Sequence, residues 1–185
     1  LSNKSKFSNF LDYSVNEKDP KFDTPFPYTS QSTIRLVIGD NFQTNLIDEN
    51  YSIQQLSEDK LVKYIKEQIS CFDQNENWSD LLNLSLNRTK NILGLRISGS
   101  EIPPIEIFSH ASSDSLNAKT LVIFLEKNCN IELLQVNLGQ ENSSLSQSTF
   151  FCLKENSSVN HGVVSYGKNR SNLLNSLNVI QQKNS

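Results

Sequence analysis

Apolar residues fall along this chain in short runs separated by polar stretches, and their spacing changes partway through. Residues 1 to about 30 carry scattered aromatics with prolines at Pro20, Pro25 and Pro27, a pattern without a period that reads as extended or poorly ordered. Thr33-Ile34-Arg35-Leu36-Val37-Ile38 predicts a strand, Gly39-Asp40-Asn41 a turn, and Phe42 to Leu46 a return strand. Two helices are expected next. In the first, over about 57–69, Ser57 suits the N-cap and Glu58 and Asp59 lie where the helix dipole favours negative charge. Leu61, Ile65 and Ile69 recur every four residues with Val62 beside them, giving one apolar stripe. In the second, over about 78–90, Asn77 can cap and Trp78, Leu81, Leu82 and Leu86 can share a face.

Beyond about residue 91 the period becomes strand-like. Short β-type runs occur at Leu93–Ile97, Ile105–Phe108, Thr120–Leu125, Ile131–Leu138, Ser148–Leu153 and Val159–Tyr166. Leu173–Ile180 fits helix almost as well and is assigned to strand from its neighbours. Polar loops SHASSDSLNA, QENSSLSQS and GKNRSN separate the runs, and no intervening helix is long enough for a βαβ crossover.

A self-match organises this half. LEKNCNIELLQVNLG at 125–139 aligns with LKENSSVNHGVVSYG at 153–167, a 28-residue offset. It pairs Leu125 with Leu153, Asn128 with Asn156, Ile131 with Val159, Val136 with Val164 and Gly139 with Gly167, while Lys127 and Glu155 exchange sign. LRISGSEIPPIEI matches more loosely, with a two-residue shift. Two strands and polar turns per repeat are what a β-solenoid coil requires. Asn tolerates the left-handed backbone of tight turns, and Ile131, Leu133 and Val159 are the inward candidates. The competing reading is a pair of ordinary hairpins in a β-sandwich, which needs antiparallel neighbours. The expected fold is mostly β: right-handed parallel β-helix coils over 93–185, preceded by a small mixed α/β region over 1–92.

Charge and composition narrow the function classes. The net charge is −3 with no Lys/Arg cluster, so the electrostatic footprint of a nucleic-acid binder is missing. The longest apolar run, Leu121-Val122-Ile123-Phe124-Leu125, is far too short to span a bilayer. LSNKSKFSNF carries no signal-peptide core, and a chain that begins at Leu1 and has no Met reads as truncated at its N-terminus. Cys71, Cys129 and Cys152 are odd in number and widely spaced, which favours reduced thiols in a cytoplasmic setting.

The residues LVIFLEKNCNIELLQV and FFCLKENSSVNHGVVSYG resemble the SufB/SufD family, in particular SufD, a subunit of the machinery that assembles iron–sulfur clusters. IRLVIGDNFQTNL resembles the family's N-terminal hairpin, and LNLSLNRTKNILGLRISGSEIPPIEI its passage into the first coils. The resemblance implies an N-terminal and early β-helix fragment of a non-catalytic scaffold. It further implies pairing with the paralogue SufB through the β-helix and with the ATPase SufC through a C-terminal region beyond this chain, in cluster assembly and iron acquisition. The full complex would handle an iron–sulfur cluster. No catalytic, cofactor-binding or metal residue of the family maps onto this chain. The alternatives are a β-helix enzyme acting on polysaccharides and a β-rich protein-binding module.

Several side chains merit chemical scrutiny. His161 stands at the repeat position of Leu133; a packed or hydrogen-bonded solenoid histidine is the plain reading, a metal ligand beside Cys152 the sharper one. His110 reads as solvated in a polar loop, Cys129 and Cys152 as buried inert thiols, and Cys71 as core. Asp48, Glu49, Glu58 and Asp59 read as loop and cap residues, and Glu101 and Glu106 flank Pro103-Pro104. Trp78 reads as a helix anchor.

Overall fold

The fold was analysed in a computed structural model that describes residues 34–38, 45–57, 59–61, 63 and 91–185. Ten strands alternate between two sheets: β1 Ile34–Val37, β2 Asn45–Ile47, β3 Tyr51–Gln55, β4 Asn91–Gly99, β5 Ile105–Ala111, β6 Leu116–Leu125, β7 Asn130–Gly139, β8 Ser144–Leu153, β9 Ser158–Gly167 and β10 Asn172–Gln181. One sheet has the order β1-β5-β7-β9 and is parallel throughout. The other has the order β10-β8-β6-β4-β3-β2, with β4, β6, β8 and β10 parallel and β3 and β2 added antiparallel at one edge. Successive strands thus wind from one sheet to the other and back, as a flattened parallel β-solenoid of about three turns. Parallel pairing of β7 with β9 excludes the sandwich reading, which required opposed directions.

The 28-residue offset is the register itself. Leu133 pairs with His161, Leu125 with Leu153 and Thr149 with Leu177, each one repeat on. The looser upstream match needs no shift: Ile97 pairs with Leu125 and Ile105 with Leu133 at the same offset. The apparent shift arises from aligning Leu95, rather than Ile97, with Leu125.

Each repeat contains two equal halves, which the self-match conceals. Left-handed backbone recurs at Asp114, Asn128, Asn142, Asn156, Arg170 and Asn184, evenly spaced at half a coil. Each sits third in a four-residue corner, and only that residue of the corner has positive φ, the arrangement of a type II turn. Backbone bonds close the corners from Ser143 to Gln140, Ser157 to Lys154, Ser171 to Lys168 and Ser185 to Gln182, at 3.0–3.3 Å. The fourth-position hydroxyls of Ser115, Ser143, Ser157 and Ser185 each donate back to the first residue's carbonyl at 2.6–2.7 Å. Corners also stack: Asn156 Nδ2 donates to Asn128 Oδ1, and Asn184 Nδ2 to Asn156 Oδ1, both at 3.3 Å.

The enclosed side of both sheets holds one apolar cluster that includes Leu36, Ile53, Leu95, Ile107, Leu121, Ile123, Ile131, Leu133 and Phe151. Val159 packs against it, so the three inward candidates all face the interior. A smaller cluster of Leu61, Val122 and Phe150 lies on the outer face of the second sheet. Helical residues 59–61 and 63 deliver Leu61 onto Gly94, where an added Cβ would stand 2.0 Å from Leu61 Cδ1. Only Gly permits that approach. The remainder of the first expected helix and all of the second lie outside the described residues.

Two expectations are corrected, and one strand was not foreseen. Ile34–Val37 and the return strand form no hairpin: β1 joins β5 in one sheet, and β2 joins β3 in the other. β3 escapes notice because Tyr51-Ser-Ile-Gln-Gln buries just one apolar side chain, Ile53. Strands β6 and β8 begin four residues earlier than expected, at Leu116 and Ser144, because their polar starts are buried rather than looped.

Corner geometry makes a direct prediction. A β-branched side chain in left-handed backbone is disfavoured by about 1–2 kcal/mol, so Asn156→Val should lower the urea midpoint by that equivalent. Arg170→Asn should leave it unchanged or raise it, since Asn is the residue this backbone tolerates best.

Candidate functional site

The solenoid interior is not uniformly apolar, and its polar half has a column structure. Register stacks Lys119, Gln147 and Asn175 in one column, and Ser109, Asn137 and Ser165 in the facing one. These positions share the parity of Leu121 and Ile107, so alternation turns their side chains toward the interior. Burial of unpaired polar groups costs about 1–3 kcal/mol each, and the network meets that cost by internal pairing. Ser109 Oγ donates to Gln147 Oε1 at 2.6 Å, and Asn137 Nδ2 donates to Asn175 Oδ1 at 2.7 Å. Asn175 Nδ2 donates to Ser165 Oγ at 3.0 Å. Lys119 is fully buried, and its ammonium donates to the Ile38 carbonyl at 2.8 Å.

Gln135 is the hub on the adjoining column. Its Oε1 accepts from Thr149 Oγ1 at 3.0 Å, and its Nε2 reaches Asn137 Oδ1 at 3.4 Å. His161 Nε2 lies 3.3 Å from the same Oε1, so the tautomer carrying a proton on Nε2 donates there. The imidazole meets the Phe151 ring edge-on with centroids 5.1 Å apart. Burial holds its pKa below the ordinary 6.5, because the charged form loses hydration without gaining an anionic partner. His161 is therefore the hydrogen-bonded solenoid histidine of the plain reading.

Cys152 does not join it. His161 points inward with Phe151, and Cys152, next along β8, points through the opposite face of its sheet. Cys129 is fully buried in the apolar cluster at the corner position held elsewhere by serine. Burial, and secondarily the nearby Glu126 charge, push its thiol up to about 11, which leaves it un-ionised and poorly nucleophilic. Among the described residues no group of three or more His, Cys, Asp or Glu side chains is placed to hold a metal ion. Cys71, Glu58 and Trp78 lie outside the described residues.

The acidic candidates separate. Asp48 and Asn50 shape the β2–β3 turn, where Asn50 N donates to Asp48 Oδ1 at 3.2 Å, and Glu49 and Asp59 are exposed. Glu101 is exposed in left-handed backbone at φ 54°. Glu106, by contrast, is buried on the outer face of β5, and His110 is buried on the same face rather than solvated. Carboxylates also order the corners: Glu126 bridges Arg96 and Lys154 at 2.6 Å each, and Lys127 meets Glu155 at 2.9 Å. The Lys154 hydrogen bond is the main reason that Glu126 titrates below the usual carboxylate range. Arg96 and Lys127 are more than half exposed, so these pairs contribute roughly 0.2–1 kcal/mol each.

The last coil presents a different surface. Gln135, Thr149 and Phe151 are no more than 2% exposed, whereas their equivalents one repeat on, Val163, Leu177 and Val179, are 46%, 54% and 42% exposed. Among the described residues, β9 and β10 each pair with a single strand.

A two-sheet parallel β-solenoid with a partly polar interior is thus the class that fold and site define. No protein-family model, curated protein or solved structure matches the chain. No helix among the described residues is long and apolar enough to cross a membrane.

Sequence reasoning missed the interior network, although its signal is present. The repeat offset, extended to full columns, lines up Lys119-Gln147-Asn175 and Ser109-Asn137-Ser165. A polar residue recurring at an inward position marks a stacked buried network rather than a loop.

Two outcomes follow. Gln135→Leu leaves the Thr149 hydroxyl without its acceptor and should destabilise the chain by about 1–3 kcal/mol, read as a lower thermal midpoint. For His161 the unfolded chain binds the extra proton between the ordinary pKa and the depressed folded one, so stability falls as pH drops through 6.5. His161→Leu, which restores the residue of the preceding coil, should flatten the urea midpoint between pH 7.5 and 5.5 relative to the parent.

Proposed function

We propose that this chain is the N-terminal and early β-helix part of a SufD-type scaffold subunit, acting without catalysis in cytoplasmic iron–sulfur cluster assembly. In this reading it works with SufB, its β-helix paralogue, and with the ATPase SufC, in a complex that assembles the cluster and acquires iron. The observation that carries the reading is the parallel stack at a constant 28-residue offset, the architecture that the resemblance implies. Whereas IRLVIGDNFQTNL does not form the hairpin the resemblance implied, two of the segments that carry the resemblance, LVIFLEKNCNIELLQV and FFCLKENSSVNHGVVSYG, fall on β6–β7 and β8–β9, successive coils of one stack. That agreement supports the resemblance, because the same positions determine the solenoid.

The test is reconstitution with SufB and SufC under reducing conditions. SufB should co-purify with the complete reading frame. Retention of neither SufB nor SufC by the complete reading frame would overturn the proposal.

A further inference from the structure

The outer face of the first sheet carries a groove of about 260 Å³ across the starts of β5, β7 and β9. Pro104, Glu106, Glu132, Leu134, Asn160 and Gly162 line it. Register puts Glu106, Leu134 and Gly162 in one outward column, with Glu132 and Asn160 in the column beside it. Pro104, Glu132, Asn160 and Gly162 are exposed, whereas Glu106 is only 1% exposed. Neither carboxylate oxygen of Glu106 has a hydrogen-bond partner among the described residues. A buried carboxylate left in that state is expensive, since it has lost hydration without compensation. Burial raises its pKa, and the field of Arg35, its register partner on β1, opposes that shift only in part.

The lining decides what can enter. Two carboxylates in the lining favour a positive charge, and Pro104, Leu134 and the bare backbone of Gly162 offer apolar contact to a hydrocarbon stem. The volume is below the roughly 300–1,000 Å³ of pockets that hold cofactors or drug-sized molecules. Among the described residues no third carboxylate, His or Cys completes a metal-binding group here. We propose that this groove receives one cationic side chain, lysine or arginine, of a partner polypeptide, with Glu106 as the buried anchor and Glu132 at the rim. The site lies on the outer face of the first sheet and stands or falls without the scaffold reading.

Gly162 makes the groove testable without disturbing the fold. Its backbone has no positive φ, and a Cβ there would meet only Leu134 Cδ1, at 3.4 Å. Gly162→Leu therefore fills the groove, and Glu106→Gln removes the charge at nearly constant shape. The ¹⁵N-labelled 185-residue chain would be titrated with acetyl-Gly-Arg-Gly-amide, its lysine counterpart and the neutral citrulline analogue, followed by amide shifts. Saturable shifts centred on Leu134, Asn160 and Gly162, at about millimolar affinity, are expected for the cationic peptides alone. Glu106→Gln should weaken binding roughly ten-fold, as loss of a charge-assisted hydrogen bond implies, and Gly162→Leu should abolish it, with both variants keeping the parent's dispersed spectrum. Three results would overturn the assignment: no localised shifts up to about 10 mM, equal binding by Glu106→Gln, or the same amides responding to Mg²⁺ but not to the peptides.

Discussion

Parallel pairing at a constant 28-residue offset is the constraint on which the rest of this structure depends. Because each strand hydrogen-bonds to the strand one coil away, every side chain sits on its equivalent in the coil before it. Several columns keep one chemistry along their length, whereas Ile107-Gln135-Val163 and Leu121-Thr149-Leu177 mix apolar with polar and pair their polar members with each other instead. Apolar columns such as Leu125-Leu153 merge into the core, and Asn128-Asn156-Asn184 becomes an amide ladder. At Lys127-Glu155 and Glu126-Lys154 opposite charges make the stack favourable, and Arg96 reaches Glu126 from the neighbouring column.

The same rule explains the polar interior. Once Lys119 occupies an inward site, a leucine above it would have to pack on a buried ammonium, so Gln147 and Asn175 continue that column in kind. The facing column supplies Ser109, Asn137 and Ser165, and side chains pair across the lumen between sheets. Such a network fixes register more tightly than apolar packing can. A one-coil slip of leucines costs little, whereas a slip of donors against donors leaves buried groups unsatisfied.

Much of the fold was legible along the chain, for identifiable reasons. Ile131, Leu133 and Val159 announced the inward face because alternation has period two, and the Asn corners announced left-handed turns because few other residues tolerate them. Legibility failed wherever burial was polar. Leu116-Asn-Ala-Lys and Ser144-Leu-Ser-Gln look like loop and are strand, since composition reports solvation only when partners are absent. Of the site, the position of His161 over Leu133 was readable, but its bond to Gln135 across the stack was not. Glu106 and His110 gave no local sign that they would be buried.

What the chain's own pattern determined was the coil: two strands, two corners and a 28-residue advance, all encoded within neighbours along the backbone. The partnerships that cross the lumen were decided only by tertiary structure. Lys119 meets the carbonyl of Ile38, far back in the chain, and β1 joins β5 rather than β2. Local sequence specifies backbone geometry and which side of a strand faces inward. It carries no information on which distant atom will stand opposite, and that is settled when the two sheets close on one another.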